Sequence, residues 1–391
     1  VEYKKIGKIA NYEQPSKYIV ESTDYNDAFD VPVLTAGQTF ILGYTNESTG
    51  IFRASKLNPV IIFDDFTGAF KWVDFSFKVK SSAMKIITAS NDVSIRYLFH
   101  VMGFLHYSSN EHKRLWIGIY SEFEVPVPPL EIQREIVRIL DNFTNLTAEL
   151  TAELTARKAQ YSYYRDKLLT FESRIQLLPL KDIAKFSYGY TDKAQEHGDT
   201  RFLRITDIAE DGTMKPEGAK YILLNDESKK YLVKKGDLLL ARTGATYGKT
   251  LYVPDNSPAV YASFLIKIEL DNSKISNRYY WHFSKSNQYW RQAEKLVSKG
   301  GQQQFNTNAV ERVVVPVPPL DVQNRIVNVL DNFEKICSDL NIGLPAEIEA
   351  RQKQYEYYRD KLLTFAENGN TILSRAEQSR AEQSRAEQSR A

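Results

Sequence analysis

Two periods of apolar residues alternate along this chain. Over residues 1–124, and again over 173–314, apolar runs are short and broken by Gly, Asn, Asp and Pro, the pattern of strands and turns. It predicts strands at Val31–Leu34, Phe40–Leu42, Val60–Phe63 and Trp72–Val79 in the first region. The second region has Phe202–Ile205, Asp237–Ala241, Thr250–Val253 and Ala262–Leu270. Helical stretches are predicted near Ile95–His106 and Arg278–Leu296. Each is followed by a polar loop and a strand running into Val-Pro-Val-Pro-Pro. After those prolines the period changes. Ile132, Ile136, Ile139, Phe143, Leu146 and Leu150 fall at helical steps, as do Val322, Ile326, Val329, Phe333, Ile336 and Leu340. Such steps make the seam of a coiled coil. Pro128-Pro129 and Pro318-Pro319 suit the first turn of a helix and not its interior. A helix from Leu130 to Phe171 would be about 60 Å long at 1.5 Å per residue. Gly343-Leu344-Pro345 predicts a break in the second helix.

The two helical regions are copies of one another. Val125–Phe143 reads VPVPPLEIQREIVRILDNF and Val315–Phe333 reads VPVPPLDVQNRIVNVLDNF, an offset of 190. QYSYYRDKLLTF at Gln160–Phe171 returns at Gln354–Phe365 with one change in twelve, at an offset of 194. The chain is therefore a tandem duplication. It is read as an α+β protein in which one module is used twice, with a pseudo-twofold internal repeat. The expected segments are a first variable domain at 1–124, a helical spacer at 125–172, a second variable domain at 173–314 and a second spacer at 315–365. A low-complexity tail, expected to be disordered, takes up 366–391. That tail ends in three copies of Ala-Glu-Gln-Ser-Arg and a final Ala, with no period that would bury a face. Within the first helix Thr147–Leu150 and Thr151–Leu154 both read Thr-Ala-Glu-Leu. One such unit adds about 6 Å of helix, against a rise of about 3.4 Å per DNA base pair.

Charge changes this picture little as a total and more by region. The chain has 391 residues and a formal net charge of +2. That argues against a protein coating nucleic acid through bulk charge. By region the net charge is −1 over residues 1–124 and +6 over 173–314. One cysteine, Cys337, excludes a disulfide framework and fits a reducing compartment. No apolar run has the length of a membrane span, so a soluble, cytoplasmic protein with no membrane partner is expected.

The chemistry of catalysis is missing from the motifs. Tyr247-Gly248-Lys249-Thr250 resembles the end of a phosphate-binding loop, but Thr243 stands where that motif needs Gly, and the following residues read as strand,. The five histidines lack metal-ligand spacing,. Asp64-Asp65, adjacent on a strand, reads as a turn or cap. No metal, cofactor or catalytic residue is expected in this chain. The loops before the last strand of each region are richer. Registered on the prolines, His112, Lys113, Arg114 and Trp116 lie opposite Gln302, Gln303, Gln304 and Asn306. Arg and Lys suit guanine edges and phosphates; Gln and Asn suit adenine. Arg242, Thr243, Thr246, Tyr247 and Lys249 form a polar turn that could face DNA, and Tyr44, Thr45, Lys71 and Lys299 complete the candidate contacts. The apolar seam, represented by Ile136, Ile139, Phe143, Leu146, Leu150, Ile326, Val329, Phe333, Ile336 and Leu340, is the candidate helix interface. The repeated Tyr161, Tyr164, Arg165, Tyr355, Tyr358 and Arg359 are candidates for a partner interface. A coiled-coil scaffold that binds only proteins is the competing reading; a self-sufficient nuclease is disfavoured for want of a carboxylate cluster.

The PVPPLEIQREIVRILDNF and RKAQYSYYRDKLLTF blocks, with their second copies, resemble the specificity subunits of type I restriction–modification systems over about 1–365. The resemblance implies two target recognition domains, each reading half of a bipartite site in double-stranded DNA. It implies two long helices in an antiparallel coiled coil that sets the half-site separation. It also implies docking of two modification (methyltransferase) subunits, with two restriction subunits able to join. S-adenosylmethionine, ATP and Mg2+ would then sit on those partners and not on this chain.

Overall fold

The computed structural model describes residues 1–35, 39–107, 113–171, 175–298, 303–338 and 342–365. They form two compact units. One comprises Val1–Glu149 with the described residues from Ile348 onward, the other Leu150–Glu347. His112, Lys299, Gln302, Leu340 and the tail at 366–391 lie outside the described residues.

The first unit contains β1 (Glu2–Lys5), α1 (Ile6–Ile9), β2 (Ala10–Glu13), β3 (Val31–Leu34), β4 (Ile41–Thr45), β5 (Val60–Asp64), β6 (Phe70–Val73), β7 (Lys78–Val79), β8 (Met84–Ala89), α2 (Ile95–Phe104), β9 (Glu124–Val127) and the start of α3 (Leu130–Leu168). A four-stranded antiparallel sheet has the order β2-β8-β5-β6. A three-stranded sheet has the order β4-β3-β7, and β1 pairs with β9. The second unit contains β10 (Gln176–Pro179), β11 (Ala184–Tyr188), β12 (Thr200–Leu203), β13 (Tyr221–Ile222), β14 (Leu238–Ala241), β15 (Thr250–Tyr252), β16 (Ala259–Tyr261), β17 (Leu265–Leu270), α4 (Asn277–Phe283), α5 (Asn287–Leu296), α6 (Thr307–Val310), β18 (Val314–Val317) and α7 (Leu320–Ser338). Its sheets run β11-β17-β14-β15, β13-β12-β16 and β10-β18. Raising every strand number of the first unit by nine reproduces the second. The last helix, α8 (Leu344–Leu363), returns to the first unit from Ile348 on.

The central strands explain the unbroken apolar runs. All five residues of β5 and all four of β14 are buried. Ile61 and Phe63 face the helix side while Val60 and Ile62 face the three-stranded sheet. Leu238 and Leu240 are set against Leu239 and Ala241 in the same way. A strand covered on both faces loses the polar alternation that marks a half-exposed one.

Three sequence expectations are corrected. Trp72–Val79 is two strands, β6 and β7, in different sheets. Ala262–Leu270 begins as a turn, because the chain crosses between sheets after β16 and enters β17 only at Leu265. Arg278–Leu296 is two helices, because Ser286 stops the first run and caps α5, accepting from Tyr289 N,.

The helices begin directly after the prolines, and α3 runs without a break through both Thr-Ala-Glu-Leu units. The break expected at Gly343-Leu344-Pro345 separates α7 from α8. Within the first unit Phe143 stacks on Tyr358 at 5.2 Å, while Ile136 and Leu140 share a core with Leu363. Within the second, Tyr164 stacks on Phe333 at 5.5 Å, while Leu169 shares a core with Ile326 and Leu330. In both units residue numbers rise along one helix as they fall along the other, so the helices pair antiparallel. The seam itself is shifted. Gln133, Ile136 and Leu140, and Gln323, Ile326, Leu330 and Cys337, are the buried positions. Ile132, Val329 and Ile336 are exposed, and Ile139, Leu146 and Leu150 are half-buried. Each helix packs on its module as well as on its partner helix, and that second contact rotates the buried stripe.

Candidate nucleic-acid interface

Each module grips its helices through the same polar network. Arg96 and His100 on α2 both bond Asp141 of α3, at 2.7 and 2.9 Å. Arg278 and His282 on α4 both bond Asp331 of α7, at 2.8 and 2.7 Å. A carboxylate only accepts, so each imidazole donates through Nε2. Nδ1 is then free to accept from a tyrosine of the repeated block, Tyr355 at 3.0 Å or Tyr161 at 3.1 Å. Burial pushes the His100 pKa down and that of His282 down to about 4. Burial opposes ionisation of Asp141 and Asp331, but the hydrogen bonds from His and Arg outweigh it and hold both carboxyls below their usual range. The buried Gln133 accepts from Ser94 N and donates to Asp92 O and Pro128 O. Gln323 does the same with Ser276 N, Lys274 O and Pro318 O.

This network places Tyr161, Arg165, Tyr355 and Arg359 inward or half-inward. Arg359 is buried, and Tyr161 and Tyr355 are bound to histidine. Tyr163 and Tyr357, which the sequence reading passed over, are each 60% exposed. Lys167 and Lys361 lie over their rings at 5.7 and 5.8 Å. His282, Asp331 and Glu334 lie close enough together to hold a cation. Arg278 already bonds both carboxylates, and Lys285 lies 3.4 Å from Glu334, so the protein's own cations fill that role.

The proline register of the two loops is confirmed by hydrogen bonds at the strand ends. Asp65, just after β5, donates its N–H to Ala83 O at 3.0 Å and accepts from Leu115 N at 2.8 Å. Arg242, just after β14, donates to Phe264 O at 3.1 Å and accepts from Phe305 N at 2.8 Å. Asp65 therefore corresponds to Arg242, and Arg114 to Gln304. In the first module the buried Asp65 accepts from Trp116 N at 2.8 Å and lies 3.3 Å from Lys85 and 3.7 Å from Arg114. Lys113 and Arg114 are exposed. In the second module Gln303 and Gln304 are exposed, and Gln304 bridges Thr243 through the backbone.

Other candidates are placed differently. Trp116 is 1% exposed and packs on Phe63 and Tyr120; the ring completes the core beneath the loop and offers nothing to a base. Asn306 caps α6, accepting from Ala309 N at 3.1 Å. Thr45 and Thr243 are buried. Thr246 and Lys249 are half-buried, and Tyr247 packs on Trp290 and Phe305. Tyr44 is half-buried on β4 in the three-stranded sheet, and Lys71 is exposed on β6. Asp64 binds its own turn through Phe66 N and Thr67 Oγ1. Two residues the sequence reading missed, Tyr188 and Phe264, flank Arg242 with ring distances of 5.2 and 5.4 Å.

Comparison with known proteins agrees with the duplicated architecture. A family model for the type I restriction modification DNA specificity domain matches residues 1–157 and again 173–350. The chain is 40% identical to the EcoR124I/EcoR124II type I restriction enzyme specificity subunit of Escherichia coli, covering 93% of this chain and 94% of that one. It is 30% identical to a putative type I restriction enzyme specificity subunit of Haemophilus influenzae, over 94% and 96%. The fold is similar to the crystal structure of a type I restriction-modification S subunit from M. genitalium, at 13% identity and a TM-score of 0.56, covering 94% and 96%. A structure from work on assembly and conformational transition of a type I R-M system gives 14% and 0.56, covering 93% and 97%. With both modules matched and near-complete relatives at 40% and 30% identity, this chain belongs to the family of type I restriction–modification DNA specificity subunits.

Proposed function

We propose that the chain supplies DNA specificity to a type I restriction–modification complex, each module reading one half of a bipartite double-stranded target. The observation that carries this reading is the repeated nine-strand module with different side chains at hydrogen-bond-equivalent positions, Asp65 against Arg242 and Arg114 against Gln304. One scaffold with two sets of base-reading groups gives an asymmetric two-part site. Helix α3, with 39 residues, starts in one unit and ends in the other, so its length enters the half-site spacing. Lys113, Arg114, Gln303 and Gln304 are the loop groups best placed to reach DNA.

The chain is a non-catalytic subunit in this reading. Adenine methylation belongs to two modification subunits carrying S-adenosylmethionine, and ATP and Mg2+ belong to restriction subunits. Tyr163 with Lys167, and Tyr357 with Lys361, form matching exposed patches, which suits two copies of one partner. Purified alone, the chain should transfer no methyl group; with its modification subunits it should direct methylation to one bipartite sequence. Methyl transfer by the isolated chain would overturn this assignment.

A further inference from the structure

We propose that Arg242 reads a guanine in the half-site of the second module, and that Arg114 brings a guanidinium to the corresponding place in the first. This rests on the DNA-reading role above and names the base and the group.

Arg242 is held as a base-reading fork would be. Its guanidinium lies between the rings of Tyr188 and Phe264, at 5.2 and 5.4 Å, and its Nε donates to Ser263 O at 3.1 Å. These contacts fix the plane of the group. Several half-buried arginines of the chain are tied to carboxylates: Arg96 to Asp141, Arg204 to Asp207, Arg278 to Asp331 and Glu334; Arg201 instead donates to Lys215 O. Among the described residues Arg242 has no such partner, so its terminal nitrogens are left for an acceptor from outside. Tyr188 and Phe264 are themselves 42% and 50% exposed, which puts the fork at the surface. A contact with phosphate needs a positive charge and little more. A planar, ring-clamped fork beside the exposed Gln304 matches the paired O6 and N7 acceptors of guanine.

The first module reaches the same arrangement from the other side of one hydrogen bond. The bond from Phe305 N to Arg242 O corresponds to that from Leu115 N to Asp65 O. Across it the second module has Arg on the strand end and Gln on the loop; the first has Asp on the strand end and Arg on the loop. Asp65 is buried, fixed by Trp116 N, and lies 3.7 Å from the exposed Arg114. Here a carboxylate lies within ion-pair distance of the guanidinium, where two rings lie beside it in the second module.

The test is sequence selection from randomised duplex DNA by the full chain assembled with its modification subunits. Arg242→Ala and Arg242→Lys should each relax one position, a guanine, in one half-site, cutting its discrimination by about tenfold or more. The other half-site should be retained, which also shows that the variant is folded and assembled. Arg114→Ala should relax one guanine in the opposite half-site. Full guanine preference in Arg242→Lys, or an equal loss on all sequences in Arg242→Ala, would overturn the proposal and make the residue a phosphate contact. A shift caused by Gln303→Ala with Gln304→Ala, but by neither Arg242 variant, would sink the arginine assignment alone. If neither the arginine nor the glutamine variants change either half-site, the reading face itself is misplaced.

Discussion

Gln133 and Gln323 show how far a single polar residue can fix a packing arrangement. Each is fully buried and makes three hydrogen bonds, joining the start of its long helix to the cap of the preceding helix. Replacing either with Leu would strand a serine N–H and two carbonyls, at a cost of about 1–3 kcal/mol. Thermal melts should show the loss in both variants; an unchanged midpoint would contradict the network. His282 makes the same contact sensitive to pH. Its pKa falls to about 4 when folded, from an ordinary value of 6.5. As pH drops below the ordinary value the unfolded chain takes up the proton first. The stability is therefore present above about pH 6.5 and is lost toward pH 4, with about 2 kcal/mol gone by pH 5. A melting curve that is flat from pH 7.5 to 5, or as steep in His282→Gln, would refute this. At this scale the sequence is legible only in part. The loop register reveals Lys113, Arg114, Gln303 and Gln304. It does not reveal that Trp116 turns inward, since an aromatic in a polar loop can serve core or surface. Tyr188, Arg242, Phe264 and Gln304 meet only through the sheet order, which no local pattern records.

Among the elements, the duplicated helices were the clearest signal and their buried face the least clear. Start points followed from the proline pairs, and the break in the second helix followed from Gly343 and Pro345. The apolar seam was misphased because Gln133 and Gln323 hold core positions that an apolar pattern skips. Strands covered on both faces, β5 and β14, were legible as apolar runs. The short strands β7 and β16 were not, because two or three residues carry no periodicity. The uninterrupted course of α3 through Thr147–Leu154 gives a direct prediction. Deleting Thr147–Leu150 removes about 6 Å of helix, close to two base-pair rises. The nonspecific spacer should shorten by one or two base pairs while both half-sites stay the same. A changed half-site with an unchanged spacer would contradict the role of the helix as a ruler.

For the whole molecule, the two compact units do not follow chain order. The first repeat of the Tyr-Tyr-Arg-Asp-Lys block lies in the second unit, and the second repeat lies in the first. The N-terminal module is therefore completed by a segment far away in sequence, whereas the second unit is one continuous stretch. Ending the chain before Gln354 should loosen the N-terminal module by removing Tyr355 from His100 and Leu363 from its core. Limited proteolysis should then cut within residues 1–124; equal resistance in the shortened chain would count against this completion. The +2 total conceals modules of −1 and +6, so the first module must depend on placed groups such as Lys113 and Arg114 more than on bulk charge. The central claim is that two copies of one module read two different half-sites. It is tested most directly by mapping methylated adenines across the genome of a host carrying this chain with its modification subunits. The account predicts one motif made of two unlike half-sites separated by a spacer of fixed length; a single uninterrupted motif, or methylation without sequence preference, would contradict it.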